Sequence, residues 1–489
     1  MTEVQPQYSD FNQPFSPAIN TSHWTRQCAN QINPCPENTV PPFDTYKIKP
    51  LMPGYHVWDS WFVLTEEGQV ANIEGFTVLL ALVRPIATPA PQKKKYKEDN
   101  RERIAYFYSE DGVHYSVGGF LFDTPVYEDV REWSGSTILR DDGRLQTFYT
   151  LAQGLIIDGV WQSGQRFATA IQRLSVEECG CGSRLMVAAT DYHALLKEPD
   201  GVLYETPEQS AKHEEIYASR HNLPSGDDQV DNFCFRDPKF VKDPASGRAY
   251  LLFEANTGPA FCPVGSVRRT YIGTKDYHPD YVPTPDDLKA NGCVGVLELT
   301  NANYTFGSFC HPWLTTNLVA DEIERINVIW HQNHVYLFVV AHGQKCSVLS
   351  QNPDLLNRDF MLGFRAKRLF GALEPMNGSG VVLQQKSLGP IYSGQDENKQ
   401  YVYSWLIVPG LRAGELDCIS YTNYSTDRNG QCQPVKSAGP ILTLQIEGLN
   451  SRIVDQRYEI VPADDRSRDD EDIETVVEVS ISEQAMIES

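Results

Sequence analysis

VADEIERINVIWHQNHVYLFVVAHGQK, residues Val319–Lys345, begins acidic and then turns apolar, β-branched and aromatic. The polar break at His331–Asn333 between two such runs reads as strand, tight turn, strand. Written as an extended chain, Glu322 and Glu324 share one face, while Asp321, Ile323 and Arg325 share the other. Two carboxylates held close repel each other, so one keeps its proton to a higher pH than usual. A general acid requires that. Alone, DEIER reads sooner as a solvated strand end with a local ion pair of small energy; the rest of the chain changes that.

The same texture extends in both directions. From His56 onward short apolar runs alternate with turn signals, among them FTVLLALV, RIAYFYS, STILRDDGRLQTFYTLA, AYLLFEA, VGVLELT, YVYSWLIV and ILTLQIE. Their β-branched and aromatic content predicts a large all-β fold. Few stretches carry a helical period; Thr206–Arg220 is the best helix candidate, with Thr206 as its N-cap. Residues 1–45 are polar and Pro/Asn-rich and read as an irregular arm laid over the surface. The folded body then spans 46–462, and 463–489 is an acidic, mobile tail in which VVEVSIS has the makings of an edge strand. Pro89–Arg103 reads as a charged loop and Gly265–Asn291 as an insertion overhanging a site. No internal repeat stands out.

A chain of 489 residues, 41% hydrophobic and with 34 glycines, can bury a large core rich in turns. Its length suggests several domains, a rule that β-barrels and propellers break. The net charge of −22 disfavours nucleic acid or an anionic membrane as partner and suits a neutral substrate. No apolar run reaches the length of a membrane span. The opening MTEVQPQYSDFNQP lacks the basic and apolar regions of a signal peptide, which keeps a cytoplasmic location as the alternative to export. Of 11 cysteines, Cys179 and Cys181 lack a second pair at zinc-site spacing. Cys28/Cys35 and Cys418/Cys432 each bracket a polar loop and are candidates for pairing in an oxidising compartment. Sequons at Asn20, Asn303, Asn377 and Asn423 lean towards secretion.

Three acidic motifs stand beside aromatic or arginine residues: HVWDS at His56–Ser60, NFCFRDP at Asn232–Pro238, and DEIER. Glycoside chemistry needs two carboxylates flanking the scissile bond, one an ionised nucleophile and one an acid for the leaving oxygen. A third carboxylate can hold sugar hydroxyls, and Trp faces suit sugar C–H surfaces. Singly, each acid is an ordinary turn or cap residue, Trp58 and Trp133 ordinary core aromatics, Arg236 a surface ion-pair partner and Tyr403 a cross-strand packing residue.

WDS, REWSGS at Arg131–Ser136, FRDP, LLFEANTG at Leu251–Gly258 and DEIERINV follow one another over roughly residues 50–410. In that order they resemble the levansucrase and inulosucrase family of glycoside hydrolases, family 68. The resemblance implies a five-bladed β-propeller that acts on sucrose and requires no cofactor. It implies Asp59 as the nucleophile that forms a fructosyl-enzyme, Asp237 as the transition-state stabiliser and Glu324 as the acid/base. Trp58, Trp133 and Ser134 are then expected to wall the fructosyl subsite, with Ser134 hydrogen-bonded to the nucleophile. Arg236, Glu254 and Glu322 are expected to read the glucosyl half, and Tyr403 with Ser404 to form a rim. Asn232 and His342 fall on the acceptor side, where His342 stands in place of the arginine of many relatives and brings a charge that depends on pH. Asp231 and Asp321 match two positions that help hold a structural calcium in some members. The implied activity is a retaining, levansucrase-type fructosyl transfer that releases glucose and builds fructo-oligosaccharides or fructan, outside the cell. Transfer to water, as in an invertase (β-fructofuranosidase), is the alternative outcome at the same site. A non-catalytic sugar-binding propeller and a hydrolase of another furanoside are the rival readings.

Overall fold

The quoted stretch folds into strands from Glu324 onward. Glu324–His331 and His334–His342 form a hairpin, and Gln332 and Asn333 take φ of 48° and 60°. Positive φ at both central residues is what a two-residue type I′ turn requires. This computed structural model describes residues 19–86, 101–123, 130–157, 160–179, 182–216, 233–263, 267–350, 352–387 and 399–463.

The fold is all-β. Five strands lead five antiparallel runs. Tyr55–Thr65 leads Phe76–Pro85, Arg103–Ser109 and His114–Phe120. Arg131–Leu139 leads Leu145–Ile157, Val160–Cys179 and Gly182–Lys197. Phe235–Lys242 leads Ala249–Asn256, Gly292–Leu299 and Gly307–Thr315. Glu324–His331 leads His334–His342, Arg358–Ala366 and Val381–Lys386. Val402–Pro409 leads Glu415–Thr422, Ile441–Glu447 and Asn450–Arg457. The leading strands touch one another in chain order, and the last touches the first.

Apolar cores lie between successive sheets rather than at one centre. Phe148 and Phe167 of the second run pack with Phe235, Phe240 and Phe253 of the third. Leu337 and Leu362 of the fourth meet Tyr250 and Val294 of the third. Leu406, Ile419 and Ile441 of the last share a core with Val57, Trp61 and Phe62 of the first. Alternation buries one face of each strand against the next sheet, and this closes the ring.

Each leading strand carries one extra residue in its first half. Pairing steps from Trp58–Leu82 to Trp61–Leu80, and from Trp133–Thr150 to Gly135–Tyr149. It steps likewise from Arg236–Glu254 to Lys239–Leu252, from Glu324–Val340 to Asn327–Phe338, and from Tyr403–Tyr421 to Leu406–Ile419. Each is a β-bulge, which re-aims side chains. Four place a non-glycine residue at positive φ: Asp59 at 41°, Asp237 at 57°, Arg325 at 54° and Ser404 at 60°. At the fifth a Cβ on Gly135 would run into the Phe148 carbonyl oxygen. This is the internal repeat that the letters hide.

From residue 19 the arm is packed down: Ser22–His23 pairs with Leu314–Thr315, and buried Trp24 donates Nε1–H to the Ser379 carbonyl at 2.8 Å. The helix is Pro207–Ile216, capped by Thr206, whose hydroxyl accepts from Gln209 N–H at 3.3 Å. None of the described residues of the Gly265–Asn291 insertion is among those that line the cleft described below; Tyr271 and Ile272 pack it onto Leu318, and Arg26 of the arm ties to Asp287 at 2.5 Å. Val461–Pro462 pairs with His114–Tyr115, whereas the tail beyond 463 and most of Pro89–Arg103 fall outside the described residues. Cys28, Cys35, Cys418 and Cys432 are free thiols, so neither suggested disulfide is formed. Among the described residues no helix is long and apolar enough to cross a membrane.

Candidate active site

The five bulges fall at five side-chain pairs: Trp58–Asp59, Trp133–Ser134, Arg236–Asp237, Glu324–Arg325 and Tyr403–Ser404. All but Arg325 were singled out from sequence as substrate or catalytic candidates. Extended alternation put Arg325 on the opposite face from Glu324. The bulge breaks that alternation, and both line one cleft of about 650 Å³ with Trp58, Asp59, His342 and Tyr403.

The half of the site around Glu324 is a dense charge network. Arg236 reaches Glu254 Oε2 at 2.8 Å, Glu324 Oε1 at 3.0 Å and Glu322 Oε2 at 3.3 Å. Lys345 reaches Glu322 Oε2 at 3.2 Å. The Tyr403 hydroxyl donates to Glu324 Oε2 at 2.6 Å. His342 Nε2 lies 3.6 Å from the same oxygen, while its Nδ1 contacts Asp359 Oδ1 at 2.7 Å and its ring stacks on Tyr403 at 4.5 Å. Four carboxyl groups (Glu254, Glu322, Glu324 and Asp359) thus face three cations (Arg236, Lys345 and His342).

That imbalance sets the protons. Burial and the Glu322 carboxylate hold Glu324 above the usual range, against Arg236, His342 and Tyr403. Burial would raise Glu322 too, but Lys345, Arg236 and His342 bring it down to about 2. Burial drives Glu254 well up against Arg236, with Glu324 and Glu322 adding to the rise. Burial would lower His342, but Asp359 and the two glutamates lift it to about 9. The change of charge with pH expected of His342 is thereby moved above neutral pH.

The half around Asp59 is sparser. Burial raises the Asp59 carboxyl; Arg325 opposes the rise, Asp237 adds to it, and the Ser404 hydroxyl and Lys436 oppose it. The Ser404 hydroxyl does not meet full hydrogen-bond geometry with any partner. Arg325 is anchored by donating to the Ser60 carbonyl at 2.7 Å. The expected bond from Ser134 to Asp59 is not formed: the Ser134 hydroxyl donates to Asp237 instead. The Ser134 strand lies between the Asp59 strand, with which it pairs in parallel from Val63–Thr137 onward, and the Asp237 strand, and its hydroxyl turns to the latter. The Asp237 N–H also donates to the Thr150 hydroxyl at 3.0 Å.

Trp133 is half-buried at its bulge, one residue from Ser134. Asn232 and Asp231 lie outside the described residues. Asp321 is buried, with one carboxylate oxygen lacking a partner. Sequence reasoning missed Asp359, Lys345, Tyr401 and Lys436. Asp359 left a faint signal, an acid opening the apolar run FMLGF. Asn423 lines the cleft, so a glycan at that sequon would compete with whatever the cleft binds.

An all-β ring whose bulges aim carboxylates into an aromatic-walled cleft defines a carbohydrate-processing type of site. The chain belongs to the Levansucrase/Invertase family, glycoside hydrolase family 68, whose sequence profile matches residues 15–459. It is 29% identical over 470 residues to a levansucrase of Bacillus amyloliquefaciens, covering 90% of each chain. It is 28% identical over 375 residues to an extracellular sucrase of Zymomonas mobilis, covering 75% of this chain and 79% of that one. Among solved structures, a Bacillus subtilis levansucrase double alanine variant in complex with oligosaccharides superposes with a TM-score of 0.71. It is 26% identical, and the match covers 91% of this chain and 98% of that one. An inulosucrase of Halalkalicoccus jeotgali bound to kestose superposes with a TM-score of 0.66, at 29% identity and 90% and 97% coverage.

Proposed function

We propose that this chain is a levansucrase-type fructosyltransferase that takes sucrose as donor and passes its fructosyl unit to sugar acceptors, a growing fructan among them. The observation that carries the reading is that Asp59 and Glu324 line one cleft, with Glu324 held above the usual carboxyl range. In the first displacement a carboxylate oxygen of Asp59 attacks the anomeric carbon of the fructosyl unit while Glu324 gives its proton to the departing glucosyl oxygen. In the second, Glu324 takes the proton of an acceptor hydroxyl, whose oxygen displaces Asp59. Two displacements retain configuration.

Asp237, fixed by Ser134, grips fructosyl hydroxyls between Trp58 and Trp133. Arg236, with Glu254 and Glu322, reads the glucosyl unit, and His342 and Asn232 serve the acceptor side. The oligosaccharide- and kestose-bound structures of the two relatives support sugar chains as ligands. We read the ring of sheets as a five-bladed propeller over 46–462, with 1–45 as arm and 463–489 as tail. The extracellular sucrase among the relatives supports an extracellular location. A structural calcium at Asp231 and Asp321 belongs to the proposal because the unpartnered buried oxygen of Asp321 is the hard donor that calcium takes. No chemical step runs through that ion.

The test is one incubation with sucrose, measuring glucose, fructose and polymer. Glucose in excess over fructose is expected. Equal amounts would make the protein an invertase, and no glucose at all would overturn the reading.

A further inference from the structure

Lys436 reaches the cleft from a segment far from every motif, and the chemistry above does not use it. Its side chain lines the cleft together with Asp59. The ammonium lies 5.1 Å from the centre of the Trp58 ring and 5.0 Å from that of Tyr421, within cation–π range of both. Its backbone is pinned to the nucleophile's own strand. The Lys436 carbonyl accepts from Val57 N–H at 2.9 Å, and the Lys436 N–H donates to His56 Nδ1 at 3.2 Å. Among the described residues no carboxylate oxygen comes within 4.0 Å of its Nζ. A lysine serving only as surface cover would swing its head into water; here two rings hold it.

We propose that Lys436 is a positioning residue for the nucleophile: the Trp58–Tyr421 clamp aims its charge at Asp59 from beyond ion-pair distance. The charge favours the Asp59 carboxylate, against the burial that raises it, without a salt bridge that would occupy its attacking oxygen. An ammonium in direct contact would stabilise the same charge but blunt the nucleophile, because that bond must break before attack. The groups around Asp59 are Arg325, Asp237, Ser404 and Lys436. Burial lowers the Lys436 ammonium and Arg84 adds to the fall, while Asp59 and Glu102 oppose it; His56 beside it is pushed down to about 4 by burial, Arg84 and Lys436 and so left neutral. Arg84 is already paired with Glu102 at 3.4 Å. Lys436 and Arg325 are then the two cations left to act on Asp59, and Arg325 is tethered to a carbonyl.

The inference rests on Asp59 being the nucleophile, and the test separates the two. Glucose release from sucrose is followed against pH for wild type, Lys436→Met and Lys436→Arg. A nearby opposite charge favours the ionised carboxylate, so losing it raises the Asp59 pKa. The acidic limb of kcat/KM is expected to move up by about 0.5–1 unit in Lys436→Met and to stay in place in Lys436→Arg. A limb that stays at its wild-type position in Lys436→Met overturns the inference. If Lys436→Met does not fold, Lys436→Gln carries the same measurement; if neither neutral variant folds, the lysine is structural and the inference falls. Wild-type protein that releases no glucose would instead overturn the function proposed above.

Discussion

The two halves of the cleft are built differently. Around Glu324, Arg236, Lys345, His342 and Tyr403 make direct contacts at 2.6–3.6 Å. Around Asp59 stand aromatic rings, a backbone-tethered arginine and a lysine beyond contact distance. The difference suits two tasks. An acid that must give and retake a proton can share its oxygens with a rigid network, because the network fixes which form is favoured. A nucleophile needs an oxygen that nothing holds. Burial raises both carboxyls; around Glu324 it is opposed by Arg236, His342 and Tyr403 in contact, and around Asp59 by Arg325, the Ser404 hydroxyl and Lys436, with no ion pair among them.

The largest expected effect tests the sparse half. Asp59→Ala should cost at least about 10⁴-fold in turnover with the melting temperature retained, and Asp59→Glu should also fail because the extra methylene misplaces the oxygen. A variant keeping a substantial share of the wild-type rate would remove Asp59 as nucleophile. Next comes the dense half. Glu324→Gln should lose about 10²–10⁴-fold with sucrose and much less with fructosyl fluoride, whose leaving group needs no proton. Equal losses with both donors would break the division of labour.

A smaller effect sharpens it. Tyr403 donates to Glu324 and so favours its charged form. Tyr403→Phe removes that preference and raises the Glu324 pKa, so the alkaline limb of the pH–rate profile should rise by under about one unit. An unmoved alkaline limb would mean that the contact is idle. The smallest effect concerns product length. His342→Arg adds donors to the acceptor side and should lengthen products, while His342→Ala should shift transfer towards water. Chromatography at matched sucrose conversion reads both. Because His342 stays charged up to about 9, the wild-type product pattern should not change between pH 5 and 7. A pattern that shifts within that window would contradict the pairing with Asp359.

Much of this was legible in the letters. The apolar runs became strands, and the His331–Asn333 break became the tight turn between two of them. DEIER put Glu322 and Glu324 against one arginine. The five-fold repeat was not legible, because what repeats is a backbone step and not a residue: WDS, WSG, RDP, ERI and YSW share no common letter. The partner of Ser134 is hidden too, since its strand lies beside those of both Asp59 and Asp237 and only the folded chain shows which carboxyl its hydroxyl meets. Asp359 is brought to His342 by antiparallel pairing of their two strands, a register the letters do not give, and Lys436 reaches the cleft where the last run meets the first, which no local pattern encodes.

The bulges carry one more consequence, for anyone who would make this protein sturdier. Asp59, Asp237, Arg325 and Ser404 all sit in left-handed backbone, a conformation that costs a non-glycine residue about 1 kcal/mol or more. Four such positions amount to several kcal/mol, against a folding margin of about 5–15 kcal/mol in a typical domain. Glycine at any of them would relax the chain while deleting a group that the cleft depends on. A search for heat resistance alone would therefore reward the variants that have stopped working, so each round has to be scored on sugar turnover as well as on melting.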